Sequence, residues 1–430
     1  MPGVVIIGGG WAGCAAALAA VKAGAREVTL LERTDMLLGT GLVGGIMRNN
    51  GRFTAAEEAI ALGCGDLFET ADYCARHRNI SFPGHEHATL YDVCKIEPAV
   101  RRVLDHYGVR RHFLSRVKDV EMAGDRILAV ITENQEKYYG EVFVETTGSC
   151  GPQVNCAKYG NGCAMCIYRC PSFGPRVSIA AKAGVKEFQG KKPDGSTGAM
   201  SGACKLNKDS LAEDIVDRLD TNGVVVIPVP PELQKGEAAL RDKACQQYAL
   251  PAYNDNVILL DTGHAKLMTS FFPLDKLRCI PGLENARYED PYAGGIGNSV
   301  RFLALSPRED TLRVIGVANL FCGGEKAGIL VGHTEAIVTG SLAGRNAVLS
   351  ATGRDLLRLP EGLAIGDMIG FSNKQMKTEA GLQKKYTFAG AEYFSRMKER
   401  NLYTTDREVI QDRVSQLGLT GIFERRHDAL

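Results

Sequence analysis

The stretch VVIIGGGWAGCAAALAAVKAGAREVTLLER, residues 4–33, constrains the fold more than any other part of the chain. Val4, Val5, Ile6 and Ile7 are consecutive β-branched residues, the composition of a strand covered on both faces. Gly8, Gly10 and Gly13 follow in G-x-G-x-x-G spacing. Cys14–Ala23 is rich in alanine and predicts a helix lying close against a sheet, ended by Gly24. Val28–Leu31 predicts a second strand, closing on Glu32. The glycines have separate tasks: Gly8 the tight turn, Gly10 the approach of a pyrophosphate, Gly13 the packing of helix on strand. The helix N-terminus presents unpaired N–H groups and a positive dipole end to the phosphates. Glu32 stands 19 residues beyond Gly13, where a carboxylate accepts ribose hydroxyls. Glycine clusters also close ordinary loops. Here strand, glycines, helix, strand and acid arrive in that order, which favours a dinucleotide-binding unit over a plain βαβ turn.

The next segment favours FAD over NAD. GTGLVGGIMRNNG places Gly39, Gly41, Gly44 and Gly45 just past the acid, as in flavoproteins whose second glycine-rich turn touches the cofactor. At 430 residues the chain is long enough for two or three domains and a large core. A formal net charge of +1 gives no global field towards nucleic acid or membrane. No run of 18 apolar residues occurs, and a first strand starting at Val4 predicts no room for a leader. Thirteen cysteines in such a chain predict a reducing, cytoplasmic setting with thiols kept for metal or redox work.

Residues 53–79 carry apolar side chains at helical spacing, with Cys64 and Cys74 as core thiols. Residues 90–107 predict an amphipathic helix, and Val109–Val120 a strand. In flavoproteins of this type such a strand touches the adenine, which makes Val117 a candidate contact. The basic run VRRVLDHYGVRRHFLSRVK (100–118) could attract phosphate, but a solvated face is the more ordinary outcome. Strands are expected at 126–133 and 136–146, the second ending in Thr147-Gly148 beneath the flavin.

Between Cys150 and Cys170 the chain holds five cysteines in 21 residues. Cys163, Cys166 and Cys170 read C-x2-C-x3-C-P, with Cys156 seven positions before them. Thiolates this dense on a Gly- and Pro-containing loop point to a [4Fe–4S] cluster on Cys156, Cys163, Cys166 and Cys170. A structural zinc and metal-free thiols stay open. Cys150 is a redox-active or fifth thiol. Beyond it come a helix at 209–220, the strand VVVIPV (224–229) and a helix over about 235–248, while Cys204 and Cys245 default to structure.

Two later stretches carry a family resemblance. LRCIPGLENARYED (277–290) resembles the IPGLENA segment of the GidA/TrmFO flavoproteins, which modify tRNA uridine. NLFCGGEKAGILVGHTEAIVTGSLAGRNA (319–347) is similar to that family's second FAD segment, a strand, a glycine turn and a long small-residue helix. The resemblance implies an α/β, two-dinucleotide-binding-domain (Rossmann-like) FAD flavoprotein with an inserted α+β domain. Its expected parts are a discontinuous FAD domain (1–150 and 255–350), an insert (151–254) and a mostly helical extension (351–430). The expected cofactor contacts are Gly8, Gly10, Trp11, Ala12, Gly13, Glu32, Arg33, Gly39, Gly44, Gly45, Val117, Thr147 and Gly148. Gly323, Gly324, Glu325, Gly328 and Ile329 of the second segment join them. The folate-dependent branch of the family also uses a cysteine in the segment matching 39–53, where this chain has none.

The main functional expectation is an FAD-dependent oxidoreductase coupling flavin to the iron–sulfur cluster, with a small-molecule substrate or a redox partner protein. The alternatives are a folate- and FAD-dependent enzyme modifying uridine in tRNA or rRNA, and a non-catalytic electron-transfer subunit. A homo-oligomer is open, and no membrane partner is expected. No catalytic residue stands out. His333, Glu335, His264, Lys266 and Cys322 are candidates whose ordinary reading is structural.

Overall fold

The computed structural model describes residues 2–148, 177–191, 195, 199–200, 203–234, 236, 249–269, 272–289, 300–301 and 304–426. Its N-terminal unit follows the glycine reading. Strand β1 (Gly3–Ile7) leads through Gly8–Gly10 into helix α1 (Trp11–Ala23), and Gly24 (φ 100°) turns the chain into β2 (Glu27–Leu31). Three more strands join this sheet: β3 (Arg110–His112), β4 (Val142–Glu145) and β5 (Leu320–Cys322). All pairs are parallel and the spatial order is β5-β4-β1-β2-β3. The order reverses direction at β1, so a crevice opens between the carboxyl ends of β1 and β4.

A long helix, α2 (His333–Ala351), follows β5 and packs directly on α1. A Cβ built at Gly340 would stand 2.1 Å from the Ala12 carbonyl oxygen, and one at Gly344 equally close to that of Ala16. Only glycine permits this backbone-on-backbone approach. The two contacts advance by four residues on both helices, so the helices run parallel. By that register α2 begins about 9 Å ahead of α1 along the common axis.

The segment expected as one helix over 53–79 differs. It forms helices Gly51–Leu62 and Asp66–Tyr73, separated at Gly63 (φ 89°), and then a strand, Ala75–Phe82. That strand exists because His85–Tyr91 pairs with it antiparallel across the turn at Gly84 (φ 77°), a tertiary partner that helical spacing does not reveal. For the same reason the helix expected at 90–107 starts only at Ile96. The strand expected over Val109–Val120 divides into β3 and Val117–Ala123, with Leu114 at φ 53° between them. Arg126–Thr132 and Lys137–Tyr139 complete a meander that delivers the chain to β4.

A second, antiparallel sheet has the order 204–206, 265–267, 256–261, 224–228. It runs on past residue 255, and its apolar core continues through Leu277, Ile280 and Leu283 to Tyr288. The helix expected at 209–220 is Glu213–Asn222. A smaller core of Ile46, Phe82, Leu90, Ile258 and Met268 joins this sheet to the Ala75–Tyr91 hairpin. Asp261 ties the same junction, accepting hydrogen bonds from Arg76 Nε and His77 Nε2 at 2.8 Å and pairing with Lys208 at 2.7 Å. After α2 the chain adds helices at Ala364–Gln375, Ala391–Glu399 and Arg407–Gln416. Cys150, Cys156, Cys163, Cys166, Cys170 and Cys245, with nearly all of 235–248, lie outside the described residues.

Candidate functional site

The crevice between β1 and β4 brings the two glycine-rich segments together. A Cβ at Gly8 would stand 2.5 Å from the Thr146 carbonyl oxygen, and one at Gly13 would stand 1.8 Å from that of Gly8. These two glycines are demanded by packing. Gly10 is different: among the described residues, apart from its chain neighbours and the backbone of its own helix, no heavy atom lies within 4 Å of the place its Cβ would take. It caps α1 without a side-chain hydrogen bond, and the first turn of α1 holds no acidic residue. Open space against bare backbone at an uncapped helix start is the cradle a pyrophosphate needs. Gly39 (φ 46°) faces the same kind of open space. The chain's residues therefore fit a dinucleotide.

Glu32 stands at the end of β2, nearly buried, with its carboxylate organising the turn. Oε2 accepts the Gly9 N–H at 2.7 Å, and Oε1 accepts the Thr34 N–H at 2.9 Å and the Thr34 hydroxyl at 3.1 Å. Oε2, with one donor, keeps further lone-pair capacity for a ribose hydroxyl. Arg33 follows, half-buried, and Val117 begins its strand buried opposite Thr132. The Thr146 hydroxyl bonds the carbonyl oxygens of Ile7 and Gly8, and Thr147 bonds Glu145, which places Thr147-Gly148 at the crevice.

From the other side, Gly324 reaches the crevice beside Ala12, where its Cβ would stand 3.1 Å from that of Ala12. The Gly323 N–H donates to the Glu145 carbonyl oxygen at 3.0 Å and the Gly324 N–H to Thr339 Oγ1 at 2.8 Å. Lys326, fully buried, sets its ammonium between Glu187 and Glu145. Burial raises the Glu145 carboxyl above the ordinary carboxylate range, and the Lys326 charge opposes that shift. Glu145 also accepts the Ile179 and Ala180 N–H groups at 2.8 and 2.9 Å. Gly328 and Ile329 turn away from α1: Gly328 packs near Ser372, and the Ile329 carbonyl accepts the Tyr386 N–H.

Trp11, Tyr91 and His333 cluster where both helices begin. Ring centroids lie 6.0 Å apart for Trp11 with either partner. The Tyr91 hydroxyl donates to the Gly41 carbonyl at 2.8 Å and lies 3.2 Å from His333 Nδ1. With its one hydrogen on Gly41, the Tyr91 oxygen is left to accept a proton carried on His333 Nδ1. Burial holds the Tyr91 phenol well above its usual range. The His333 ring lies over Gly44, where any side chain would collide with Cε1. Two lysines of the second sheet fix this glycine turn from below. Lys205 Nζ donates to Leu42 O at 2.9 Å, and Lys266 Nζ to Val43 O at 2.9 Å and to Gly44 O.

Glu335 and Cys322 resolve as structural. Glu335 is buried, accepting hydrogen bonds from Arg52 Nε, the Thr387 hydroxyl and the Phe388 N–H, so it anchors α2 to the C-terminal segment. Cys322 is fully buried in β5 and its thiol is pushed up to about 12 by burial, the mark of an inert core thiol. Cys64 is likewise buried, and raised to about 12. The basic run is a paired surface: Arg101 meets Glu97, Arg110 meets Glu27, Arg111 meets Asp105 and Arg116 meets Glu133. Tyr91, Arg52 and Lys205 carry no local motif, and sequence reasoning missed them.

The model of the family described as glucose inhibited division protein A matches residues 3–226 and 256–355. The chain belongs to this family. The solved Aquifex aeolicus GidA in its form II crystal superposes with a TM-score of 0.70 over 97% of this chain and 73% of that one, at 18% identity. The form I crystal gives 0.68 over 97% and 75%, at 17% identity. These likenesses establish the α/β, FAD-binding Rossmann-like fold of the GidA family for this chain. Two similar curated proteins are named methylenetetrahydrofolate–tRNA-(uracil-5-)-methyltransferase TrmFO. That of Prochlorococcus marinus (strain NATL1A) is 33% identical over 148 residues, 34% of this chain and 28% of the relative. That of Ruegeria sp. (strain TM1040) is 33% identical over 95 residues, 22% of this chain and 21% of the relative. The matched stretches thus span under a third of those relatives. Among the described residues no group of three or more His, Cys, Asp or Glu could hold a metal ion, and no helix is long and apolar enough to cross a membrane.

Proposed function

We propose that this chain is an FAD-dependent enzyme that modifies a uridine base in tRNA, the alternative of the sequence reading. The observation that carries it is the family match over both cofactor-binding segments, together with an open, uncapped cradle at Gly10. The named relatives act on tRNA uracil, which supports this alternative over the main sequence expectation. FAD would be held by the backbone at Gly10 and the α1 N-terminus, by Glu32 on the ribose side and by the Gly323–Gly324 turn. When bound it supplies hydride transfer to or from the one-carbon chemistry that such modification requires.

The chain's own residues then have distinct parts. The α1 N–H groups orient the phosphates, and Lys205 and Lys266 hold the Leu42–Gly44 carbonyls so the second turn keeps its shape. His333, beside Tyr91, would be the residue that holds or moves a proton. Because residues 39–53 hold no cysteine, a thiol from that segment has no part in the reaction. The test is nucleoside mass spectrometry of an unmodified tRNA transcript incubated with flavin-loaded protein, methylenetetrahydrofolate and a reductant. A mass change on uridine is expected. Flavin-loaded protein that neither binds the transcript nor alters uridine refutes the proposal.

A further inference from the structure

A second group of reactive side chains lies outside the cofactor cradle. Cys94 follows the strand His85–Tyr91 and is exposed. Its Sγ lies 3.5 Å from Nε2 of His264, on the turn between the strands at 256–261 and 265–267. Nδ1 of the same ring faces Glu289 Oε2 at 3.5 Å. A thiol within reach of an imidazole that a carboxylate orients is the geometry of an activated nucleophile. Glu289 favours the tautomer protonated at Nδ1, which leaves Nε2 to receive the thiol proton.

We propose that Cys94 is a reactive thiol that exchanges with disulfides, with His264 as its general base and Glu289 as the positioning residue. The surroundings keep the pair neutral at rest. Burial and the Asp92 carboxylate push the Cys94 thiol above its ordinary value, while burial and Lys205 hold His264 below the usual imidazole range. Lys205, Glu289 and Arg76 also face the thiol, Lys205 and Arg76 opposing the upward shift, and Glu289, Asp92 and Lys208 face the ring. A resting thiol beside a neutral imidazole needs base catalysis at the moment of attack.

The backbone decides the class of reaction. The Cys94 N–H donates to Asp92 Oδ1 at 2.9 Å, and the Lys95 N–H to the Asp92 carbonyl at 3.2 Å. Both of these backbone N–H groups are engaged, so they do not form an oxyanion hole, which disfavours acyl transfer. Exchange with a disulfide needs no such donor, because the charge passes from sulfur to sulfur. His264 Nε2 takes the proton from Sγ, and the sulfur attacks the nearer sulfur of the disulfide. The old S–S bond breaks, and the departing thiolate recovers the proton from the imidazolium. A mixed disulfide and one free thiol result, with no further oxidant.

The test treats native full-length protein with limiting dithiobis(nitrobenzoate) and follows each cysteine by peptide mass spectrometry. Cys279 is the internal reference, being exposed with its Sγ donating instead to the Asp275 carbonyl at 3.3 Å. At pH 7 Cys94 is expected to react about ten-fold faster than Cys279, a modest share of what general-base catalysis supplies. Its rate should rise with pH through the imidazole range rather than the thiol range. His264→Asn and Glu289→Gln should each remove most of the advantage and leave the Cys279 rate unchanged. Equal rates at the two cysteines, or an unchanged Cys94 rate in the variants, overturn the proposal. If His264→Asn misfolds, buried Cys74 and Cys322 become labelled too, and Glu289→Gln, at an exposed position, decides alone.

Discussion

Replacing Gly340 by alanine tests the contact on which the cofactor crevice is built. The added Cβ would meet the Ala12 carbonyl oxygen at 2.1 Å and Ala12 Cα at 2.8 Å, whereas ordinary contact begins near 3.4 Å. Both obstacles are backbone, so no rotamer relieves them, and the two helices must part by about 1 Å. Alanine gains about 1 kcal/mol over glycine in a helix interior. Overpacking costs about 1–3 kcal/mol, and a backbone obstacle belongs at or above the upper end. A net loss of about 2 kcal/mol is therefore expected for Gly340→Ala. Gly370, in the helix Ala364–Gln375, is the control. Among the described residues its Cβ would meet Glu361 Oε1 at 3.7 Å and Asp310 Oδ2 at 3.9 Å, ordinary contacts, so Gly370→Ala should gain up to about 1 kcal/mol. Urea unfolding followed by circular dichroism reads both variants, and flavin reconstitution should weaken only for Gly340→Ala. If Gly340→Ala is as stable as Gly370→Ala, the close parallel packing of α1 on α2 is refuted.

Gly10→Val should behave in the opposite way: the side chain enters open space at an ordinary backbone conformation (φ −69°), so the unfolding midpoint holds while flavin is lost. A variant that keeps its flavin would show that the cradle lies elsewhere. Asp261 predicts an acid-labile junction. Burial alone would raise its carboxyl, but hydrogen bonds from Lys208, His77 and Arg76 outweigh that and lower it to about 2. A depressed carboxyl contributes stability that is present above pH ~4 and lost as pH falls towards 2, worth about 2 kcal/mol. Asp261→Asn should be less stable at pH 7 and close that gap with the parent protein on acidification. A constant gap between pH 4 and 2 would refute the assignment.

The order β1-α1-β2, the tasks of Gly8 and Gly13, and the acid at Glu32 were legible because they are local. Each rests on side-chain size, β-branching or backbone freedom within one stretch of chain. The second cofactor segment was legible for the same reason, its small residues marking a helix that must approach another closely. The strand at Ala75–Phe82 was not legible, since its residues carry a helical spacing and only the pairing with His85–Tyr91 makes them extended. Nor did the spacing reveal that Glu335 is spent on Arg52 and Thr387, or that Cys94 meets His264 and Glu289. Those meetings join residues far apart in the chain, and no local periodicity records them. The sequence by itself determined the dinucleotide fold and the backbone cradle, because glycine acts where it stands. Tertiary structure alone decided which polar side chains are anchors and which are left to act, because hydrogen-bond partners are assigned only when distant segments are brought within about 3 Å of one another.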